Sequence, residues 1–357
     1  LGWTLFLQGK TGEAERIVRE SQELFSKIED RWGVAKCLFV LGNSLTARGQ
    51  LAESEPPLRE SLRLCQAIED RRSALLVNRN LAILTLWFGD YGQTAALLEQ
   101  AATLSQEFDD QIGLAYALRE LGKLQLAQGD YDLALETLQQ SMAITDEIGS
   151  QWESAATLDD VGVALRLAGD YAGAEWALNR CLAAARGIDN RYYTARCLGD
   201  LGTVAYHRGA YDRAEAYLRQ ALELWTDFGH EPYSAYILCQ WGQVMAASGD
   251  DRQAGDYLAR SLQLSARHKL APFALEAFVG AAELLHRRGD HQYPAQLLWL
   301  AARHEASSYE TKEQARRLLN QLALVGVDDE GVAGAEQALN WQTMVGRTIE
   351  ILVCADN

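Results

Sequence analysis

Proline is nearly missing from this chain, with five in 357 residues. Because proline lacks a backbone donor and clashes with the preceding turn, its scarcity leaves long helices possible almost throughout. Basic residues are also short: 33 Lys and Arg stand against 49 Asp and Glu, for a formal net charge of -16. Nucleic-acid phosphates and anionic lipids select basic faces, so neither is an expected partner. No apolar run reaches the ~18 residues that span a bilayer, and no secretory signal pattern is present. The six cysteines (Cys37, Cys65, Cys181, Cys197, Cys239, Cys354) are scattered without C-x-x-C spacing. They read as reduced core thiols of a cytoplasmic protein.

Chemistry is sparse as well. No glycine-rich loop ends in Lys-Ser or Lys-Thr, so no phosphate cradle is expected. No spacing sets a base beside a nucleophile. Glu283 and His286 have the i, i+3 spacing of carboxylate–histidine metal sites, yet the second pair that such a site needs is missing. The expectation is therefore no enzyme in this stretch, no cofactor and no metal.

What the chain does have is glycine in register. Gly9, Gly49, Gly89, Gly129, Gly169, Gly209, Gly249 and Gly289 follow one another at 40 residues without an insertion or deletion. Flanking columns repeat too: Gly42, Ala82, Gly122, Gly162, Gly202 and Gly242 before the turn, then Ala134, Ala174, Ala214 and Ala254, then Leu138, Leu178, Leu218 and Leu258 after it. A fixed period of this length means stacked supersecondary units that bury their apolar faces against one another. Within residues 111–148, Leu114, Leu118 and Leu121, then Leu135, Leu138 and Met142, fall on helical stripes. Gly129 between them predicts a left-handed helix end, and Asp130 is placed to cap the next helix. The register predicts helices near 11–28, 31–48, 51–68 and 71–88, continuing at the same interval.

Leucine-glycine in the first helix, Gly-Asp-Tyr at the turn and Ala134, Leu138 and Ser141 in the second resemble the tetratricopeptide repeat (TPR). The resemblance covers about residues 1–306 as eight repeats, the first truncated, with a period of 40 in place of 34. Repeats of this length are similar to those of Pins-type adaptors. They are also similar to the C-terminal sensor region of bacterial signal-transduction ATPases of the NB-ARC and maltose-activator-like kind. Residue 1 falls inside a repeat's first helix, so the chain is expected to be a piece of a longer protein whose ATPase module lies upstream. After 306 the period breaks. Residues 307–357, with Leu318, Leu319, Leu322, an acidic turn at Asp328-Asp329-Glu330 and Trp341, are similar to the tail closing such arrays and are expected to form a helical cap. The resemblance implies an all-α, right-handed superhelical solenoid of antiparallel helix pairs.

It also implies a groove lined by the first helix of each repeat. Its first row reads Phe39, Arg79, Arg119, Asp159, Gly199, Cys239 and Val279, and its second Asn43, Ile83, Lys123, Val163, Thr203, Gln243 and Glu283. A family clamp for a peptide's C-terminal carboxylate is matched here only by Asn43, Arg119 and Lys123, with Arg79 as an added cation. Trp87, Tyr116, Tyr206 and Tyr236 join them as groove aromatics and Arg196 follows further along, whereas Tyr91, Tyr131, Tyr171 and Tyr211 occupy the turn column and read as packing. The cations could equally pair with Glu120, Asp159 or Asp160. The implied partner is a protein or peptide, acidic or bearing a free C-terminus, together with upstream domains of the same chain. The implied function is a sensor and interaction module of a larger bacterial regulator; the alternative is a constitutive scaffold.

Overall fold

The structure is a computed structural model that describes residues 4, 11–322 and 340–354. Among the described residues there are seventeen helices and no strand. In chain order the first half comprises α1 (Thr11–Lys27), α2 (Arg31–Ala47), α3 (Leu51–Ala67), α4 (Arg71–Phe88), α5 (Tyr91–Glu107), α6 (Gln111–Gln128), α7 (Tyr131–Ile148) and α8 (Gln151–Leu167). The remainder comprises α9 (Tyr171–Gly187), α10 (Arg191–His207), α11 (Tyr211–Phe228), α12 (Glu231–Ser248), α13 (Asp251–Arg267), α14 (Ala271–Arg287), α15 (Gln292–Arg303), α16 (Tyr309–Gln321) and α17 (Trp341–Cys354). Helices α1 to α14 begin at the expected 40-residue interval, α15 begins one residue late, and α16 and α17 lie beyond the repeats. Gly129 and Gly169 end their helices in the left-handed region at φ +92° and +86°. The Gly9 turn and the acidic turn at 328–330 lie outside the described residues.

The columns pack as their residue sizes require. A Cβ built on Gly122 would stand 2.7 Å from Leu138 Cγ, and the same clash recurs for Gly42 on Leu58, Gly162 on Leu178, Gly202 on Leu218 and Gly242 on Leu258. Glycine therefore lets the paired backbones close over a leucine that is fully buried in each repeat, a burial that stabilises by about 1.5–3 kcal/mol per side chain. Three of the repeats add a polar tie at one column. Ser61, Ser141 and Ser261 hydroxyls donate to the carbonyls of Ala35, Ala115 and Ala235 at 2.7–2.8 Å. Asp170 caps α9 by accepting from the Gly173 N–H at 2.9 Å, but Asp130 occupies the corresponding position without a capping bond.

Cys181 and Cys197 depart from the expectation of free thiols. They lie on the neighbouring helices α9 and α10 with Cα atoms 6.7 Å apart, and their sulfurs are joined as a disulfide. Cys37, Cys65 and Cys239 are free and buried. Sixteen residues of helix–turn–helix bring the pair together, a proximity that scanning for C-x-x-C does not reveal.

The solenoid closes on itself. Cβ atoms on the turn glycines Gly49, Gly89 and Gly129 would meet Pro232, Ala306 and the Tyr309 ring at 2.7, 2.5 and 2.4 Å, whereas nothing lies within 4 Å at Gly169, Gly209, Gly249 or Gly289. One rim of the early repeats is thus touched by chain from almost a superhelical turn later. Tyr91, expected only to pack within its turn, donates its hydroxyl to the Ala306 carbonyl at 3.0 Å. At the C-terminal end, α17 packs on α13 and α14 with Trp341, Met344, Val345 and Leu352 buried. Leu318, Leu319 and Leu322 lie partly buried against the cluster that holds Leu297 and Leu298. No described helix is long and apolar enough to cross a membrane.

Candidate functional site

Closure frames an open-mouthed cavity of about 270 Å³ in the superhelical lumen. Its aromatic wall comes from separated repeats: Trp87 and Tyr91 on α4 and α5, Trp225 on α11, Tyr233 and Tyr236 on α12, and Phe273 on α14. Trp87 meets the edges of Tyr233 and Phe273 at centroid distances of 4.7 and 5.4 Å, and Trp225 stacks on Tyr233 at 4.2 Å. Rings held at these separations fix one another's orientation.

The polar wall comes from the first helices. Asp160, Arg166, Arg196 and Asp200 line the cavity with Lys123. A ladder between successive repeats organises them, each rung joining residues 36 apart. Arg196 donates to Asp160 at 2.9 Å, Tyr236 donates to Asp200 at 3.1 Å, and Gln240 donates to Glu276. Arg196 is also 2.6 Å from Asp159. Burial is the largest influence on Asp200 and holds its carboxyl above the usual range, although Arg196, Arg166 and the Tyr236 hydroxyl pull the other way. Burial and nearby Glu310 raise Glu276 to about 7. His230, packed under Trp87 and Trp225, is lowered to about 4 by burial.

The structure brings Trp87, Lys123, Arg196 and Tyr236 from the sequence-based set to this cavity. Asn43, Arg79, Tyr116, Arg119 and Tyr206 do not border it. Arg119 is nearly enclosed, at 3.0 Å from Glu153, 3.4 Å from Glu120 and 3.7 Å from Asp160. Lys123 pairs with Glu120 at 2.7 Å, so the two cations share one carboxylate on their own helix. Arg79 and Arg119 both lie over the Tyr116 ring, at 3.8 and 4.8 Å. Tyr206 packs against His207 and Tyr211. The first row expected in the groove instead faces neighbouring helices: Asp159 and Cys239 are fully buried, and a Cβ on Gly199 would meet Ile237 at 2.6 Å. The lining acids Asp160 and Asp200 sit one residue later in each period. Sequence reading also passed over Trp225, Tyr233 and Phe273, whose shared signal is aromatic density late in the array. Among the described residues, Asp159, Cys181 and Cys197 bring ligand-type atoms within 4.8 Å of one another, a group that does not include Glu283 or His286 and that could ligate a metal only with the disulfide reduced.

Family models for the tetratricopeptide repeat match residues 34–72, 72–147 and 153–227, more than half of the chain. The chain belongs to the tetratricopeptide repeat family. No curated protein matches it in sequence. Among solved structures, a Rap protein complexed with Competence and Sporulation Factor is similar over 98% of this chain and 96% of its own, at 14% identity and a TM-score of 0.68. The Rap conjugation gene regulator of plasmid pLS20, in complex with the Phr* peptide, covers 99% and 95% at 13% identity and a TM-score of 0.51. A signal-transduction ATPase with a TPR sensor from Pyrococcus horikoshii matches 96% of this chain and 50% of its own, at 12% identity and a TM-score of 0.48. At such identities the likeness is one of fold. The TPR array is a protein-interaction module.

Proposed function

We propose that this TPR array is the sensor of a larger bacterial regulator or signal-transduction ATPase and that it binds a short peptide in the closed lumen. The observation that carries this reading is the aromatic-walled cavity formed where α4 and α5 meet α12 and α14. Concave apolar sites with a few converging polar groups are where ligands bind. A ligand there touches early and late repeats together, so its binding energy falls on the closure contacts and can shift the array between open and closed states. A Rap regulator of similar fold is in complex with the Phr* peptide, which supports the same ligand class here. Of the residues expected from sequence, Trp87, Lys123, Arg196 and Tyr236 are assigned to ligand contact. A constitutive scaffold has no need of a cavity spanning both ends of the array.

The test is affinity selection of a random pentapeptide pool by the full chain, read by mass spectrometry. Wild type should retain a defined subset, and Ala127→Trp, which fills the cavity from its wall, should lose it while keeping its helical signal and melting temperature. Retention of the same subset by the filled variant would place binding on another face and overturn the reading.

A further inference from the structure

The charged groups around the lumen are not equally satisfied. Each cation lining the cavity already has a carboxylate: Lys123 is on Glu120 at 2.7 Å, Arg166 on Glu310 at 2.7 Å, and Arg196 on Asp159 and Asp160 at 2.6 and 2.9 Å. Asp200 is different. It is 7% exposed and lines the cavity, its neutral partner is the Tyr236 hydroxyl, and among the described residues no cation stands within ion-pair distance of it. Asp160, 2% exposed and also on the wall, has Oδ2 without a hydrogen bond, the nearest cation there being Arg119 Nε at 3.7 Å. A buried carboxylate oxygen left without a donor is costly. Among the described residues, Asp200 is therefore the lining carboxylate that no cation pairs, and Asp160, whose Oδ1 is held by Arg196, keeps one oxygen without a hydrogen bond.

The aromatic wall gives an independent indication. Trp87, Tyr233, Tyr236 and Phe273 present ring faces and edges to the same space. Aromatic faces attract ammonium and guanidinium groups, most strongly where water is excluded. They offer nothing comparable to a carboxylate. An acidic ligand, expected from the cations Arg119 and Lys123, would have to displace Glu120 from both of them.

Resting on the lumenal site of the preceding section, we infer that the array selects a ligand with a cationic group, a guanidinium or primary ammonium, docked on Asp200 and Asp160 between the aromatic rings. The guanidinium form is favoured because its fork can engage the two carboxylates together while its plane stacks on a ring. The charge can arrive on a peptide's arginine or lysine or on a free small amine.

The experiment separates these sources and also separates the two readings. The full chain is titrated with three synthetic pentapeptides that differ only at the central residue (arginine, norleucine or glutamate) and with agmatine alone, following the fluorescence of the cavity tryptophans and confirming by calorimetry. The arginine peptide is expected to bind at least tenfold more tightly than the other two, and Asp200→Asn should lose that preference whereas Asp200→Glu retains most of it. Agmatine binding as tightly as the arginine peptide keeps the cationic preference and assigns the ligand to small amines, overturning the peptide reading. Equal binding of all three peptides, or a preference for glutamate, overturns the cationic selection while leaving the cavity as the site. If neither peptides nor agmatine bind, and the pentapeptide pool is not retained either, both readings fall. Melting curves of each variant distinguish loss of binding from loss of fold.

Discussion

Arg166 on α8 grips Glu310 on α16 with both terminal nitrogens, at 2.7 and 3.3 Å, across 144 residues of chain. Arg166 is almost fully buried, and its attraction, opposing the burial, holds the Glu310 carboxyl below its usual range. This pair ties the middle of the solenoid to the segment that follows the last repeat. It sits beside the cavity, since Arg166 is part of the wall.

Removing one partner of such a pair leaves the other charge without compensation, which commonly costs about 3–5 kcal/mol. Glu310 keeps some exposure, so Arg166→Met is expected near the lower end, about 3 kcal/mol, in chemical denaturation. Amide exchange should then accelerate in 309–321 before it does in α9 or α11. Uniform acceleration along the chain would show that the pair does not govern closure.

The turn glycines supply a matched comparison. Gly129 and Gly169 both have positive φ, so alanine at either is strained by about 1 kcal/mol. Only Gly129 has a neighbour, the Tyr309 ring, 2.4 Å from where the Cβ would stand. Gly129→Ala should therefore lower the melting temperature more than Gly169→Ala, by a further ~1–3 kcal/mol of overpacking. Equal effects would mean that the Tyr309 contact yields without cost.

The inter-helix column gives a second packing test. Gly122→Leu drives a side chain into Leu138, whose Cγ stands 2.7 Å from a Cβ there. A loss of about 1–3 kcal/mol is expected, read as a lower denaturation midpoint. An unchanged midpoint would show that α6 and α7 can separate freely.

How far these features can be read in the sequence depends on the distance over which they act. Gly122, Leu138 and Gly129 belong to one repeat, and a 40-residue period without gaps fixes their places. The helix pairs follow from that register directly. The cation pairing was half legible: Glu120 follows Arg119 on the same helix, but the rung from Arg196 to Asp160 needs the stagger between repeats. The lumen was not legible. A period states how one repeat follows the next but not how many complete a superhelical turn, so nothing in the columns brings Trp87 to Phe273 or Tyr91 to Ala306. Tyr91 shares its column with Tyr131, Tyr171 and Tyr211, and it reaches the cavity because of what arrives over it.

Glu276 provides a test in pH. Its carboxyl is raised from 4.5 to about 7, by burial first and by Glu310 second, so the folded state holds its proton more tightly than the unfolded chain does. Its contribution is fully present below about 4.5, declines as pH rises towards 7, and is absent above. The whole difference is at most about 3 kcal/mol, at 1.36 kcal/mol per unit. His230 works in the reverse sense over an overlapping window. Its folded value near 4 lies below the ordinary 6.5, so its stabilisation is present above 6.5 and is lost on acidification. The wild-type profile therefore mixes two opposing slopes, and the informative quantity is the difference from a variant. Glu276→Gln keeps a partner for Gln240 and cannot ionise. Its melting temperature relative to wild type should rise steadily between pH 4.5 and 7 and level off above. A flat difference across that range would mean that Glu276 titrates normally and that its surroundings are wetter than its burial implies.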